Sequence, residues 1–162
     1  MNAYYYETKI GKILIIENGR AITHINFNSE MPKEINLIET TLLKQAAKEL
    51  QEYFEGERKS FNVPLEPKGT EFQQKVWNAL KEIPYGETCS YKNIAEKIGN
   101  IKASRAVGMA NNKNPIPIII PCHRVIGTNG KLVGYAGGLG IKEKLLEIEN
   151  KRNEKNNITI GG

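Results

Sequence analysis

The chain has 162 residues, of which 40% are hydrophobic, so it is long enough to bury one core or two small ones. Its formal net charge of +5 is compatible with a nucleic-acid partner but does not demand one. Two cysteines and two histidines argue against a structural zinc site and a disulfide scaffold. The sequence contains neither an apolar membrane span nor a secretion signal, which favours a cytoplasmic protein.

The N-terminal part of the chain has the pattern of a β-meander followed by a helix. Three β-rich runs, AYYYETKIG, KILIIEN and RAITHINFN, are joined in part by the hairpin signal Asn18-Gly19. From about Leu37 the apolar residues recur at spacings of three and four, which predicts an amphipathic helix ending near Gly56. The run FNVPL (residues 61–65) predicts one more short strand.

The composition changes at a linker rich in proline and glycine, Pro64–Gly69. We therefore predict an N-terminal domain over residues 1–66 and a second domain over residues 67–150. The last residues, 151–162, are predicted to form a polar tail. Below, residues 1–66 and 67–150 are called the N-terminal half and the C-terminal half.

The C-terminal half begins with helix signals. A capping-box pattern over Thr70–Gln73 opens a first helix. Ser90 is the predicted cap of a short helix over residues 91–98, and a glycine-containing turn over residues 99–102 precedes another short helix over residues 103–112. The succession of helix, turn and helix is the pattern of a helix-turn-helix.

The stretch IPIIIPCHRVIG, residues 116–127, joins an apolar run to a thiol, an imidazole and a guanidinium. We predict a buried strand over Ile118–Ile120, with Cys122 just after its end. Neighbouring positive groups lower the pKa of a thiol, so His123 and Arg124 favour a reactive thiolate over a merely structural cysteine. A glycine-containing loop at residues 135–138 and a last helix over residues 141–149 follow.

A cysteine hydrolase is one alternative, because such enzymes also pair a thiol with an imidazole. Adjacent residues on an extended segment point in opposite directions, so proton transfer from Cys122 to His123 would need a bend or a bridging water. The other histidine, His24, lies in a predicted hairpin strand and is interpreted as an ordinary strand residue.

PCHRV, preceded by NPxPxxIP and followed by YxGGLxxKxxLLxxE, resembles the O6-alkylguanine-DNA alkyltransferases, over about residues 69–149. The resemblance implies an α+β protein with a small RNase H-like N-terminal domain and a helix-turn-helix, winged-helix-like C-terminal domain that carries the cysteine. It also implies direct-reversal DNA repair. The protein would flip O6-alkylguanine, and also O4-alkylthymine, out of double-stranded DNA and take the alkyl group irreversibly, once per molecule, as a monomer without metal or cofactor.

The resemblance assigns catalytic roles to five residues. Cys122 accepts the alkyl group, and His123 takes the thiol proton through a water. Glu149 orients that histidine. Asn114 holds the turn before the active-site segment, and Tyr91 contacts the 3′ phosphate and helps to protonate the leaving guanine.

The resemblance also implies a set of residues that bind substrate and DNA. Arg105 would replace the flipped base in the stack, which is how intercalating side chains act in the minor groove. Tyr135 would form a wall of the base pocket, and the Val125 carbonyl would read the guanine amine. The rest of the predicted set is Ala136, used through its backbone N–H, with Arg124, Ala106, Gly108, Lys92, Asn100 and Thr128.

Two further classes of function compete with repair. A lesion-binding module of the same fold would lack the acceptor thiol, which Cys122 argues against. A helix-turn-helix regulator with a redox-sensing cysteine would usually need a dimer to span two half-sites, and the sequence contains no dimerisation helix.

Overall fold

The computed structural model describes residues 1–127, 130, 135 and 137–161, with side chains described through residue 150. A four-stranded sheet and one helix come first, and a largely helical half follows, so the predicted α+β class is confirmed. No helix in the part of the chain that the structure describes is long and apolar enough to cross a membrane.

The predicted meander forms three antiparallel strands, β1 (Asn2–Thr8), β2 (Gly11–Glu17) and β3 (Ile22–Phe27). The turn between β2 and β3 holds Gly19 at φ +93°, a conformation that glycine adopts without strain. A two-residue strand, β4 (Asn36–Leu37), pairs parallel to β1 and gives the order β3-β2-β1-β4. Two residues are too short a run for periodicity to reveal, and β4 was not predicted.

Helix α1 (Thr41–Phe54) packs against this sheet. The Thr40 side chain caps it by accepting the Leu43 N–H at 3.3 Å, so the helix begins a few residues after the point where the period changes. Its buried face ends with Tyr53 and Phe54, and the helix stops close to the predicted end at Gly56.

The strand predicted over FNVPL does not form. The N–H groups of Asn62 and Val63 donate to the Glu49 carboxylate at 2.8 and 3.2 Å, and Pro64 has no N–H to give. With its donors committed to a side chain, the segment keeps only an isolated bridge from Leu65 to Ile22.

The C-terminal half contains α2 (Glu71–Leu80), α3 (Tyr91–Lys97) and α4 (Ser104–Asn112). The capping box predicted at Thr70 and the cap predicted at Ser90 are both present, and Ser90 forms a reciprocal box with Asn93. The Trp77 indole on α2 donates to the Ala110 carbonyl on α4 at 2.9 Å and so joins these two helices.

The turn between α3 and α4 is a Schellman motif. The Gly99 N–H donates to the Glu96 carbonyl at 3.0 Å and the Asn100 N–H to the Ala95 carbonyl at 2.9 Å, with Gly99 at φ +80°. A 3-10 turn over Ile101–Ala103 then leads into α4. The predicted helix-turn-helix is therefore present, with its second helix beginning one residue late.

The predicted strand over Ile118–Ile120 is wrong. The segment is a compact turn in which Ile118 has φ +75° and the Ile120 N–H donates to the Ile116 carbonyl at 3.0 Å. Pro115, Pro117 and Pro121 punctuate the run and lack the N–H groups that a sheet ladder needs. Apolar character predicted burial correctly, but not backbone conformation.

The chain then forms β6 (Val125–Ile126), which pairs parallel with β5 (Cys89–Ser90), and helix α5 (Leu139–Gly161). The backbone of α5 continues through the predicted tail, well beyond the expected end near Glu149. One apolar cluster extends through both halves of the chain, and the Ile25 N–H of β3 donates to the Pro115 carbonyl at 2.9 Å.

Candidate active site

Cys122 begins a 3-10 turn, Cys122–Arg124, directly after the compact proline-rich turn. The Asn114 side chain stabilises that proline-rich turn through two hydrogen bonds to its backbone. Its Nδ2 donates to the Ile120 carbonyl at 2.8 Å, and its Oδ1 accepts the Ile116 N–H at 3.0 Å. The Cys122 N–H also donates to the Ile120 carbonyl, at 2.8 Å. Hydrogen bonds of the Asn114 side chain, and not the hydrogen-bond ladder of a β-sheet, therefore fix the backbone that carries the thiol.

The Cys122 side chain is only 2% exposed. Burial raises the pKa of its thiol to about 11, because the charged thiolate loses its hydration. Asn114, Lys142 and Tyr135 lie beside the sulfur and lower the pKa only in part. The sequence-based expectation of a thiolate stabilised by its neighbours is therefore wrong for the resting protein, and the thiol needs a base at neutral pH.

The His123 imidazole is held by the Glu149 carboxylate, which is 1% exposed and lies on α5. Glu149 Oε2 lies 2.6 Å from His123 Nε2. Its Oε1 accepts from Arg124 Nε at 2.9 Å and from the Gly86 N–H at 3.0 Å, and the Tyr53 hydroxyl donates to Oε2 at 2.5 Å. Glu149 is thus the centre of a buried polar network and not a solvated residue at a helix end.

The geometry determines the histidine tautomer. His123 Nε2 faces a carboxylate, so it carries the proton, and Nδ1 is the unprotonated nitrogen. Nδ1 is buried and has no hydrogen-bond partner among the described residues. Burial lowers the pKa of His123 despite the nearby carboxylate, so the imidazole is neutral and able to accept a proton.

The charge of Glu149 is strongly stabilised. Burial alone raises the pKa of this carboxyl, but the hydrogen bonds and charges of His123 and Arg124 outweigh burial and lower it to about 2. The ion pair with Arg124 balances the carboxylate, which lets His123 remain neutral beside it.

Arg124 does not lie where the sequence analysis placed it. Its side chain is only 7% exposed, and besides Glu149 it donates to the Ile83 carbonyl at 2.7 Å and lies over the Tyr85 ring at 5.7 Å. A guanidinium with these partners is not available to DNA phosphate. The structure therefore moves Arg124 from the predicted DNA-binding set to the support of Glu149.

Lys142 of α5 is completely buried, and it was not predicted as a site residue. Its Nζ donates to the Val125 carbonyl at 2.7 Å. Burial lowers the pKa of its ammonium, and a Cys122 thiolate would raise it. Lys142 therefore fixes a carbonyl of the predicted base pocket and supplies positive charge near the sulfur. Its position in the YxGGLxxKxxLLxxE pattern was the available signal.

Two tyrosines of the predicted site lie near the thiol. Tyr91, at the start of α3, is partly buried, and burial followed by the charge of Cys122 raises its pKa. A Cβ placed on Gly108 would lie 3.8 Å from the Tyr91 ring, an ordinary van der Waals distance, so Gly108 of α4 lies next to Tyr91 of α3. Tyr135 packs against Phe27 at 6.0 Å, and burial raises its pKa well above the usual value.

The remaining DNA-binding candidates form an outer surface. Exposed positions on α3, on α4 and in the turn between them are Lys92, Asn100, Arg105 and Ala106. Met109 lies one helical turn after Arg105 and is 60% exposed. The other two candidates, Thr128 and Ala136, lie outside the described residues.

Cys89 is free and partly buried, and burial raises the pKa of its thiol. No group of three or more His, Cys, Asp or Glu side chains within the described ranges is arranged to hold a metal ion.

Comparisons with known proteins cover almost the whole chain. The model of the 6-O-methylguanine DNA methyltransferase ribonuclease-like domain matches residues 1–67, and that of the DNA binding domain of the same family matches residues 71–151. Methylated-DNA--protein-cysteine methyltransferase of Methanosarcina acetivorans is 55% identical over 153 residues, covering 90% of this chain and 97% of that protein. The constitutive Bacillus subtilis protein of that name is 50% identical over 151 residues, covering 88% and 92%.

The fold is similar to that of a solved DNA complex. The crystal structure of Mycobacterium tuberculosis OGT in complex with DNA matches with a TM-score of 0.88 and 43% sequence identity, covering 94% of each chain. An O6-methylguanine DNA methyltransferase from Methanococcus jannaschii matches with a TM-score of 0.67 and 31% identity, covering 90% of this chain.

Proposed function

The chain belongs to the 6-O-methylguanine DNA methyltransferase family, and we propose that it repairs duplex DNA by moving an alkyl group from guanine O6 to Cys122. The observation that carries the assignment of residues is the buried thiol next to a neutral histidine whose tautomer is set by Glu149 at 2.6 Å. This arrangement supplies a neutral nucleophile and a neutral base, supported by the ion pair between Glu149 and Arg124.

The reaction is an in-line displacement. The Cys122 thiol gives its proton to His123 Nδ1 through a bridging water, and the sulfur forms a bond to the alkyl carbon as the bond from that carbon to O6 breaks. The electrons of the broken bond stay on the guanine, which takes a proton with help from the Tyr91 hydroxyl. The product is a thioether that no group in the site reverses, so each molecule acts once.

The alkylated base must leave the duplex to reach a thiol that is 2% exposed. Flipping a base costs a few kcal/mol, least for a damaged pair. The outer surface of α3 and α4 presents Arg105 beside the small residues Ala106 and Gly108, which permits close approach of α4 to a groove. Arg105 then fills the vacated position in the stack, and the protein acts as a monomer.

Intact-mass measurement tests the proposal. After incubation with duplex DNA containing O6-methylguanine, the protein should gain one methyl group, located on the Cys122 peptide, and stop there. A lesion-binding module or a redox regulator would gain none, and a hydrolase would turn over repeatedly. Either of these two outcomes contradicts the proposal.

Replacing Arg105 by alanine should slow methyl transfer from duplex DNA by about 5- to 30-fold, because the flipped state loses about 1–2 kcal/mol of stabilisation. Reaction with the free base O6-methylguanine should change less than about twofold, since a free base needs no flipping. Single-turnover rates on both substrates measure the difference.

The matched control is Lys113→Ala, which removes an exposed cation at the other end of α4. It should weaken DNA binding, but it should not slow transfer from duplex DNA more than transfer from the free base. Equal losses on both substrates for Arg105→Ala would show that Arg105 acts on the chemistry or on folding.

A further inference from the structure

Tyr53 comes from the N-terminal half, yet its hydroxyl lies in the site of the C-terminal half. It is completely buried at the end of α1. Its Oη donates to Glu149 Oε2 at 2.5 Å and lies 3.4 Å from His123 Nε2. The two partners of this hydrogen bond are 96 residues apart in the sequence.

Aromatic packing holds the Tyr53 ring in place. Tyr85 meets it nearly perpendicularly, at 6.1 Å between centroids and 83° between planes. Phe54 and Phe61 each lie 5.7 Å from it. With three rings around it, the hydroxyl is directed at the carboxylate by packing as well as by its hydrogen bond.

The two carboxylate oxygens of Glu149 have different sets of hydrogen-bond partners. Oε1 accepts from Arg124 Nε and from the Gly86 N–H, which hold the carboxylate whether or not Tyr53 is present. Oε2 is the oxygen that faces His123, and it accepts from the Tyr53 hydroxyl and, at 3.2 Å, from Arg124 Nη2. A hydrogen bond to a charged oxygen stabilises that charge and makes the oxygen a weaker partner for other donors.

We propose that Tyr53 is a positioning residue of the alkyl-transfer site, which shares the Glu149 oxygen facing His123 and so limits how readily His123 takes the thiol proton. The inference rests on the proposed function. Through this hydroxyl the N-terminal half adjusts how readily the nucleophile ionises, although it contains none of the reacting atoms.

The direct test is Tyr53→Phe, which keeps the packed ring and removes only the hydroxyl. Oε2 then interacts more strongly with a protonated His123, so the thiol should ionise at lower pH. We expect the midpoint of Cys122 reactivity to move down by about half a unit to one unit. Iodoacetamide labelling of the Cys122 peptide, quantified by mass spectrometry from about pH 6 to about pH 11, measures that midpoint.

The matched control is Tyr6→Phe. Tyr6 belongs to the same half and also donates to a carboxylate, that of Glu39 at 2.7 Å, but neither residue contacts the network around Glu149. Its removal should leave the midpoint for Cys122 unchanged. Thermal unfolding of both variants verifies that each remains folded during labelling.

A double variant separates electrostatics from packing. If Tyr53 acts through the charge of Glu149, then Tyr53→Phe should produce no further shift in a Glu149→Gln background. An unmoved midpoint in Tyr53→Phe alone, an upward shift, or an equal shift in both backgrounds would overturn the proposal. The labelling needs no DNA. Failure of the wild-type protein to accept a methyl group would therefore refute the proposed function and leave this test valid.

Discussion

Replacing Cys122 by serine should reduce methyl transfer by at least about 10³-fold, to below detection in a single-turnover assay. The physical reason is the ionisation of the nucleophile. Burial already raises the pKa of the thiol to about 11, so the site depends on a proton acceptor even for sulfur. A hydroxyl is far less acidic than a thiol, and His123 cannot ionise it to a useful extent at neutral pH.

DNA binding should survive the same substitution. Cys122 is 2% exposed and lies behind the surface formed by α3 and α4, so serine changes little that DNA contacts. The matched control is Cys89→Ser, at the partly buried second cysteine, which should retain full transfer. Transfer that persists in Cys122→Ser and disappears in Cys89→Ser would move the acceptor to Cys89 and refute the site.

Local signals in the sequence predicted the elements that depend on local physics. Thr70 and Ser90 accept hydrogen bonds from N–H groups three residues ahead, so their helices were recognisable from the side chains alone. Asn18-Gly19 likewise specifies its own turn. The helix-turn-helix follows from such short-range rules, whereas the α+β class was implied by the family resemblance.

The predictions that failed depend on specific contacts that residue patterns in the sequence do not show. The proline-rich turn looked like a strand because apolar character predicts burial, whereas its backbone is set by the side chain of Asn114. Arg124 looked like a surface cation because its partner, Glu149, is 25 residues away. Tyr53 showed no signal at all, since nothing in α1 indicates that its last turn reaches α5.

The ionisation of the thiol illustrates the same limit. His123 and Arg124 stand next to Cys122 in sequence, which predicted a stabilised thiolate. In the folded protein the charge of Arg124 is balanced by Glu149, and desolvation of the sulfur prevails. Sequence proximity therefore did not predict the sign of the shift in the thiol pKa.

Replacing Glu149 by glutamine is the second substitution that should have a large effect. The first property affected is the stability of the folded protein. The substitution leaves the Arg124 guanidinium buried without its counter-charge, and breaking a buried pair in this way typically costs about 3–5 kcal/mol. Urea unfolding at neutral pH measures the loss. A suitable control is Glu49→Gln, which alters another buried carboxylate that caps backbone N–H groups but lies outside the network around His123.

The loss of stability should depend on pH in a defined direction. The pKa of Glu149 is lowered from 4.5 to about 2, so its ionised form stabilises the folded state by about 3 kcal/mol above pH 4.5. As pH falls from 4.5 towards 2, wild type loses this contribution and the variant has none to lose. The difference in unfolding free energy between wild type and Glu149→Gln should therefore become smaller as the pH falls from 4.5 to about 2. A constant difference would show that the carboxylate is not ionised in the folded protein.

The same variant should also slow transfer, through the proton acceptor. Glutamine keeps a hydrogen bond to His123 Nε2 but removes the negative charge that stabilises a protonated imidazole, so the apparent pKa of the Cys122 thiol should rise. A rise of about one to two units lowers the thiolate population at neutral pH by about 10- to 100-fold. Because the pKa of the buried thiol is about 11, the difference in transfer rate between wild type and variant should diminish only as the pH approaches that value. Single-turnover pH–rate profiles at a temperature where both proteins are folded measure this shift, and Glu49→Gln should follow the wild-type profile. Superimposable profiles for wild type and Glu149→Gln would mean that His123 accepts the proton without help from its carboxylate, and that Glu149 serves only to balance Arg124.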